Sequence, residues 1–222
     1  MAHANISTIG KRGQRALADS CIGIAGLGGV GGIAFELLVR AGVGRLKIAD
    51  GGFFEESNAN RQSLWSREND GVKKTAAALE FSRSAGADCR IDVFGKIAGG
   101  NAALFARGCS AVIDATDTPA SRLAVYSGCK KAGVPHIFAS ARGGRGMLSV
   151  FSGAQLRSEP GLLFGKRGHG SCDHALGPVS NAIGCLAAQQ AMNIVLSKPV
   201  VRFPSVLSMD AFLGQTIVVH EF

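Results

Sequence analysis

The sequence predicts an α/β fold in one domain spanning residues 1–222. The expected architecture is a mostly parallel sheet flanked by helices, with antiparallel strands at the C-terminus. Three observations lead there. A short apolar run, Cys21–Gly26, enters a glycine-rich turn and then a helical pattern. Strand-like and helix-like segments then alternate as far as Phe138, the rhythm of a parallel sheet covered on both faces. After about residue 146 the alternation stops, and two late strand-like runs follow a long helix.

The elements follow in order. Cys21-Ile-Gly-Ile-Ala-Gly26 is a short apolar strand, and Gly26-Leu-Gly-Gly-Val-Gly31 is the turn after it. The helix beyond it places Ile33, Leu37, Leu38 and Ala41 on one face, and Gly42 and Gly44 stop it. Arg45–Ala49 is the second strand, ending at Asp50, so the whole forms a β-α-β unit of about thirty residues. A helix over 72–85, a strand over 90–94 and a helix over 101–107 follow. Ser110–Asp114 is a buried-type strand, and Pro119–Ala132 is a helix with proline in its first turn, where a missing N–H costs nothing. Val134–Phe138 and Met147–Phe151 read as strands. Residues 154–177 are rich in Gly, Ser, Arg and Lys without periodicity and read as a long mobile loop. Val179–Leu196 is helical, and Val206–Met209 with Gln215–His220 form a closing hairpin. Residues 1–20 form an N-terminal segment ahead of the first strand.

Composition narrows the functional classes. Hydrophobic residues make up 46% and charged residues 18%, a compact globular balance. Aromatics are only 6%, which argues against a base-stacking surface. No apolar window approaches the roughly 18 residues of a membrane span, and Met1–Gly10 lacks the basic-then-apolar pattern of an export signal. A cytoplasmic location is the resulting expectation. The formal charge of +8 suits an acidic partner such as a nucleotide, an acidic protein or RNA, but equally a soluble surface of one sign. The six cysteines form no CxxC pair and are read as reduced thiols.

Gly26, Gly28, Gly29 and Gly31 lie between strand and helix. Glycine permits positive φ and, lacking Cβ, lets backbone approach a phosphate. The helix N-terminus adds free N–H groups and partial positive charge. Asp50, about two dozen residues on at the end of the next strand, stands where a ribose hydroxyl is bound in a Rossmann-like fold. This fingerprint points to a nucleotide without separating NAD from ATP.

The segment after Asp50 separates them. Ser57-Asn-Ala-Asn-Arg-Gln62 resembles the SN-x-x-RQ segment of the ThiF/MoeB/HesA family, the bacterial relatives of ubiquitin-activating enzymes. Gly71-Val-Lys-Lys74 resembles its G-x-x-K, Ile113-Asp-Ala-Thr-Asp117 its D-x-x-D strand end, and Ala41-Gly-Val-Gly44 is similar as well. The likeness runs from about residue 13 to the C-terminus. It implies an ATP-dependent adenylyltransferase that attaches AMP to a carboxylate and releases pyrophosphate. It assigns Arg61 and Lys74 to the phosphates, Asn58 to the polyphosphate or its loop, and Asp50 to the ribose. Asp117 is assigned to the catalytic centre and its magnesium (Mg2+). Charge builds on the phosphate oxygens during adenylation, so fixed cations there fit the chemistry. Lys73 competes with Lys74 through a one-residue register shift, and Asp114 is expected to be structural. Arg122, one helical turn past Asp117, is read either as its salt-bridge partner or as a substrate contact.

The implied substrate is the C-terminal Gly-Gly carboxylate of a ubiquitin-like sulfur carrier protein, and the implied assembly a homodimer. Adenylation of a small-molecule carboxylate, action on modified tRNA, and a degenerate ATP-binding module are the alternatives. Nucleic acid is otherwise not an expected partner, nor is a membrane. Several features depart from the family. Asp50 is followed by Gly51-Gly52 rather than by a second acid two residues on, and Thr118 stands in place of an Asn. Of the upstream cations Lys11, Arg12 and Arg15, none sits at the distance of the family arginine that reaches across the dimer. The cysteines of the structural zinc site are missing. Cys172, in Gly170-Ser-Cys-Asp-His174, is the candidate acyl acceptor, with His174 or His169 to assist; an incidental loop cysteine is the plain alternative. Arg142 or Arg145 is expected to bind carboxylate or phosphate, against the alternative of a solvated loop.

Overall fold

The computed structural model describes residues 3–157, 161–164, 175–213 and 217–221. Its centre is an eight-stranded sheet ordered β3-β2-β1-β4-β5-β6-β7-β8. The strands are β1 (Cys21–Ala25), β2 (Arg45–Ala49), β3 (Arg90–Phe94), β4 (Ala111–Asp114), β5 (His136–Arg142), β6 (Arg145–Phe151), β7 (Ser205–Asp210) and β8 (Ile217–Glu221). From β3 to β5 every pairing is parallel, and from β5 to β8 every pairing is antiparallel. The expected fold class is therefore the observed one. The hand-over occurs at a tight hairpin, Gly143-Gly144, where Gly143 takes a φ of 55° that a side chain would resist. The antiparallel pairing thus begins at β5 and β6, ahead of the C-terminal strands where it is expected.

Helices cover both faces. The helices are α1 (His3–Ala18), α2 (Gly29–Ala41), α3 (Lys74–Ser84), α4 (Ala102–Ala106), α5 (Pro119–Ala132), α6 (Gly161–Phe164) and α7 (Gly177–Val195). One core lies under α1, α2, α3 and α7, with Ile22, Ile24, Ile48 and Ile113 pointing into it from the strands. The other lies under α4, α5 and α6, with Cys21, Val112, Phe138 and Phe151 pointing the opposite way. Successive strand residues thus feed alternate cores, as period-two side-chain geometry requires. Gly42 and Gly133 end α2 and α5 in the left-handed conformation, each donating its N–H back to the last turn. Thr118 caps α5 by accepting the N–H of Ser121 at 3.2 Å.

Three expectations need correction. The buried face of α2 is centred on Ala34, Phe35 and Leu38, while Ile33 and Leu37 are only half-buried. Helix α7 lies along the flank of α2, so close that a Cβ on Gly184 would overlap Ile33 and the Val30 carbonyl, and the glycine there covers Ile33 only in part. The segment 154–177 is not wholly irregular. It holds a 3-10 turn at Gly153–Arg157, the turn α6, and the start of α7; the other residues between 158 and 174 lie outside the described ones. The N-terminal segment is the helix α1, broken at Gly10 (φ 70°). Among the described residues no helix is long and apolar enough to cross a membrane.

Candidate functional site

The chain leaves β1 for β2 and β3 on one side, then returns to place β4 on the other. Loops diverge at the carboxyl ends of β1 and β4, and that divergence opens a crevice, the usual ligand position in a doubly wound sheet. Here it is a cleft of about 710 Å3.

The glycine turn forms its floor, and its four glycines do different things. Gly26 holds a φ of 88°, its N–H donates to the Ala49 carbonyl at 2.7 Å, and a Cβ there would sit 2.6 Å from the Ala115 carbonyl. Gly28 precedes α2 and faces open space, with only the Gln62 side chain within 4.0 Å of a Cβ position. Gly29 backs onto the Ser180 hydroxyl and the Arg61 carbonyl. These three line the cleft; Gly31, also expected at the nucleotide, does not. A Cβ on Gly31 would overlap the Gly26 carbonyl, so Gly31 lets α2 pack against the turn.

Asp50 ends β2 beside this turn. Its Oδ2 accepts the Leu27 N–H and its Oδ1 the Gly52 N–H, both at 2.6 Å. The carboxylate therefore ties the glycine turn to the next loop while lining the cleft. The Lys74 N–H donates to the Gly52 carbonyl at 3.1 Å, starting α3 at the cleft wall. The Lys74 side chain lines the cleft, its ammonium 5.7 Å above the Phe54 ring, whereas Lys73 is exposed outside the lining. Between them, residues 56–58 form a 3-10 turn. Asn58 is buried in it, its Oδ1 accepting the Glu55 N–H at 3.3 Å. The Arg61 guanidinium folds back to donate to the Ser57 carbonyl at 2.9 Å and to Asn60 at 2.7 Å, at the cleft edge.

The opposite wall follows β4. Asp114 is 1% exposed, bonded to His136 Nε2 at 3.1 Å and to the Thr116 hydroxyl at 2.7 Å, a structural role as expected. Asp117 stands exposed at the mouth, with no hydrogen-bond or ion-pair partner among the described residues. Arg122 is therefore not its salt-bridge partner. Arg122 instead donates to the Thr116 carbonyl at 3.1 Å and to the Ser140 hydroxyl at 2.8 Å, and its guanidinium lies 5.2 Å over Phe138.

Other expectations fall elsewhere. Arg142 and Arg145 belong to the β5–β6 hairpin and do not line the cleft, because β5 continues past the strand end read from sequence. Arg145 donates to Asp210 at 2.8 Å. Arg15 pairs with Asp19 at 2.8 Å, and neither Lys11, Arg12 nor Arg15 lines the cleft. Cys172, His169 and His174 lie outside the described residues. Gln62, Lys96, Ser121, Ser140 and Ser180 line the cleft without having been singled out. Gln62 had a signal, since it closes the SNANRQ segment; Lys96 and Ser180 arrive through chain topology alone.

Strand order, glycine turn and strand-end carboxylate define a doubly wound α/β protein with a cleft at its strand switch point. Residues 2–221 match the ThiF family, and the chain belongs to it. It is 35% identical over 144 residues to the sulfur carrier protein ThiS adenylyltransferase of Bacillus subtilis, covering 63% of this chain and 42% of that protein. It is 26% identical to the SAMP-activating enzyme E1 of Haloferax volcanii, over 88% of this chain and 74% of that one. It is 31% identical to the adenylyltransferase and sulfurtransferase MOCS3 of Drosophila virilis, over 86% of this chain and 44% of that one. The chain thus spans less than half the length of two of these relatives. Among solved structures, E. coli MccB with ATP superposes with a TM-score of 0.79 at 16% identity, covering 94% of this chain and 65% of that one. PaaA superposes at 0.78 and 17% identity, covering 100% of this chain and 74% of that one. At such identities these two establish the shared fold.

Proposed function

We propose that the protein is an ATP-dependent adenylyltransferase activating the C-terminal Gly-Gly carboxylate of a ubiquitin-like sulfur carrier protein. The observation that carries this is the convergence of Asp50, Arg61, Lys74 and Asp117 on one cleft at the strand switch point. The names of two relatives, one directed at the sulfur carrier protein ThiS and one at SAMP, support the substrate class.

The residues fit the nucleotide. Gly28 leaves open space before the α2 N-terminus, where backbone N–H groups suit a phosphate. Asp50 keeps lone pairs for ribose hydroxyls beyond its two backbone bonds. In the reaction a substrate carboxylate oxygen attacks the α-phosphorus. The new P–O bond makes the acyl-adenylate, and the bond to the bridging oxygen breaks to release pyrophosphate. Arg61 offers a planar fork to two phosphate oxygens and Lys74 a point charge, so together they stabilise the leaving group. Asp117 is a free carboxylate at the mouth, and no group of three metal-binding side chains exists among the described residues. That fits magnesium held mostly by phosphate oxygens and water, with Asp117 its one protein carboxylate. The bound ion would neutralise charge on the reacting phosphates.

The test is ATP–pyrophosphate exchange with a small carrier protein ending in Gly-Gly. Exchange that requires both carrier and magnesium supports the reading; NADH binding without ATP binding overturns it. The same assay with small carboxylates distinguishes the alternative substrate class. Acyl transfer to Cys172 is a further part of the proposal, read by intact mass after ATP and carrier are added: an adduct in the wild type and none in Cys172→Ala. A homodimer is the proposed assembly.

A further inference from the structure

At the opposite, amino-terminal end of the same strands lies a pair of thiols that the adenylation site does not use. Cys21 opens β1, and Cys109 lies two residues before the start of β4. Their sulfurs are 3.9 Å apart and both side chains are buried, each residue 8% exposed. The remaining cysteines among the described residues, Cys89, Cys129 and Cys185, share no such contact.

A buried cation sits beside the pair. Lys47, 7% exposed, directs its ammonium to the carbonyls of Arg107 at 2.7 Å and Phe105 at 3.2 Å, at the end of α4. Cys109 Sγ points at the same Phe105 carbonyl at 3.5 Å. Arg45 is the cross-strand partner of Cys21 and is itself ion-paired with Asp92. Lysine held at a helix carboxyl end is ordinary structural chemistry. A close dithiol next to it is not required for packing, since two small apolar side chains would fill the same space.

We propose that Cys21 and Cys109 form an oxidation site at which a hydroperoxide converts the dithiol to an intramolecular disulfide. Cys21 is the attacking sulfur. The Cys109 hydrogen bond, Lys47 and Arg45 together bring its thiol down to about 7, against the opposing effects of burial and Asp92. Hydrogen bonding to Cys21 and burial push the Cys109 thiol up, so Cys109 keeps its proton. In the first step the Cys21 thiolate attacks one peroxide oxygen. An S–O bond forms, the O–O bond breaks, and the departing alkoxide or hydroxide takes up a proton, leaving a sulfenic acid on Cys21. In the second step the Cys109 sulfur attacks the Cys21 sulfur. An S–S bond forms, the S–O bond breaks, and water leaves with the Cys109 proton. Two electrons pass from the sulfurs to the peroxide. The sulfurs must close by roughly 2 Å to reach bonding distance, a movement on the scale of a side-chain rotation. Among the other described thiols, burial pushes Cys89 up to about 11 and raises Cys129 and Cys185 as well, which lowers their thiolate fractions.

The experiment treats the full-length reduced protein with hydrogen peroxide, blocks remaining thiols, and maps peptides without reduction. The expected result is a Cys21–Cys109 linked pair as the first product, reversed by dithiothreitol. In Cys109→Ser the expected product is a Cys21 sulfenic acid trapped by dimedone, and in Cys21→Ser neither product forms. Circular dichroism of each variant confirms that it is folded. First oxidation at Cys89, Cys172 or Cys185 with the Cys21–Cys109 pair still reduced overturns the proposal. So does a Cys109→Ser protein, folded by circular dichroism, in which Cys21 is not trapped. Both outcomes are independent of ATP–pyrophosphate exchange.

Discussion

The two halves of the sheet are built differently. In the parallel half, β1, β2 and β4 are buried nearly throughout, and the loops leaving β1, β2 and β4 carry the glycine turn, Asp50 and Asp117. In the antiparallel half, β5 and β6 are mostly buried, burial drops at β7, and every residue of β8 is exposed, including Ile217 at 50% and Val219 at 55%. The cleft takes no lining residue from β6, β7 or β8. The difference teaches that a two-sided, helix-covered sheet can hold backbone loops rigidly enough for charge placement, whereas the outer strands extend the surface.

That contrast sets the order of expected effects. The largest belongs to Asp117, a carboxylate at the cleft mouth without a partner among the described residues. Asp117→Ala should abolish pyrophosphate exchange while circular dichroism shows an intact fold, because among the described residues Asp117 supports no other side chain. Unchanged exchange would move the acidic role to another residue. Next come Arg61→Ala and Lys74→Ala, each expected to lower exchange by about a hundredfold or more, the usual scale for one preorganised charge. Pyrophosphate gains charge as it leaves, so the rate should fall further than ATP affinity. The two effects should fall short of additive because both cations serve one group. Arg61→Lys should not restore full activity, since the fork is lost. Variants that weaken ATP binding but turn over normally once loaded would make these residues holders of nucleotide only.

The same contrast explains what could be read in the sequence. The parallel half was legible because buried strands are short apolar runs, and their ends carry residue types with few alternative uses, as in Ala49-Asp50 and Ile113–Asp117. The SNANRQ segment fixed Asn58 and Arg61 locally, since a single 3-10 turn positions both. What stayed hidden depends on contacts distant in sequence. Ser180 reaches the cleft because α7 lies along α2, and Lys96 because β3 sits beside β2. Gly31 looked like its three neighbours, and only its contact with the Gly26 carbonyl separates packing from ligand approach. Helix α1 was missed because Gly10 and Gly13 interrupt its pattern.

A stability pair sharpens the comparison further. Ile24, in the centre of β1, is fully buried between β2 and β4. Ile24→Ala removes buried methyl and methylene groups and leaves a cavity that close-packed neighbours only partly fill, so it should cost ~2–5 kcal/mol in denaturant unfolding. A cost below about 1 kcal/mol would mean that the parallel half is looser than its burial indicates.

The smallest effect is expected at the other edge. Val219 pairs with Leu207 across β7 and β8, but its own side chain is more than half exposed, and among the described residues no strand lies on the outer side of β8. Val219→Thr keeps the shape and the β-branched preference for extended backbone while exchanging one methyl for a hydroxyl that can reach water. With so little apolar area withdrawn from solvent, the change in unfolding free energy should stay within ~0.5 kcal/mol, the range of ordinary surface substitutions. The measurement is sharpest when repeated at several protein concentrations. A monomeric surface gives the same small value throughout. A cost of about 2 kcal/mol or more that grows with concentration would mean that the Ile217–Glu221 edge is covered in solution by a second copy of the chain, since only a bound partner makes stability depend on concentration. In that case the contrast between the two halves would describe the isolated chain and not the assembled protein.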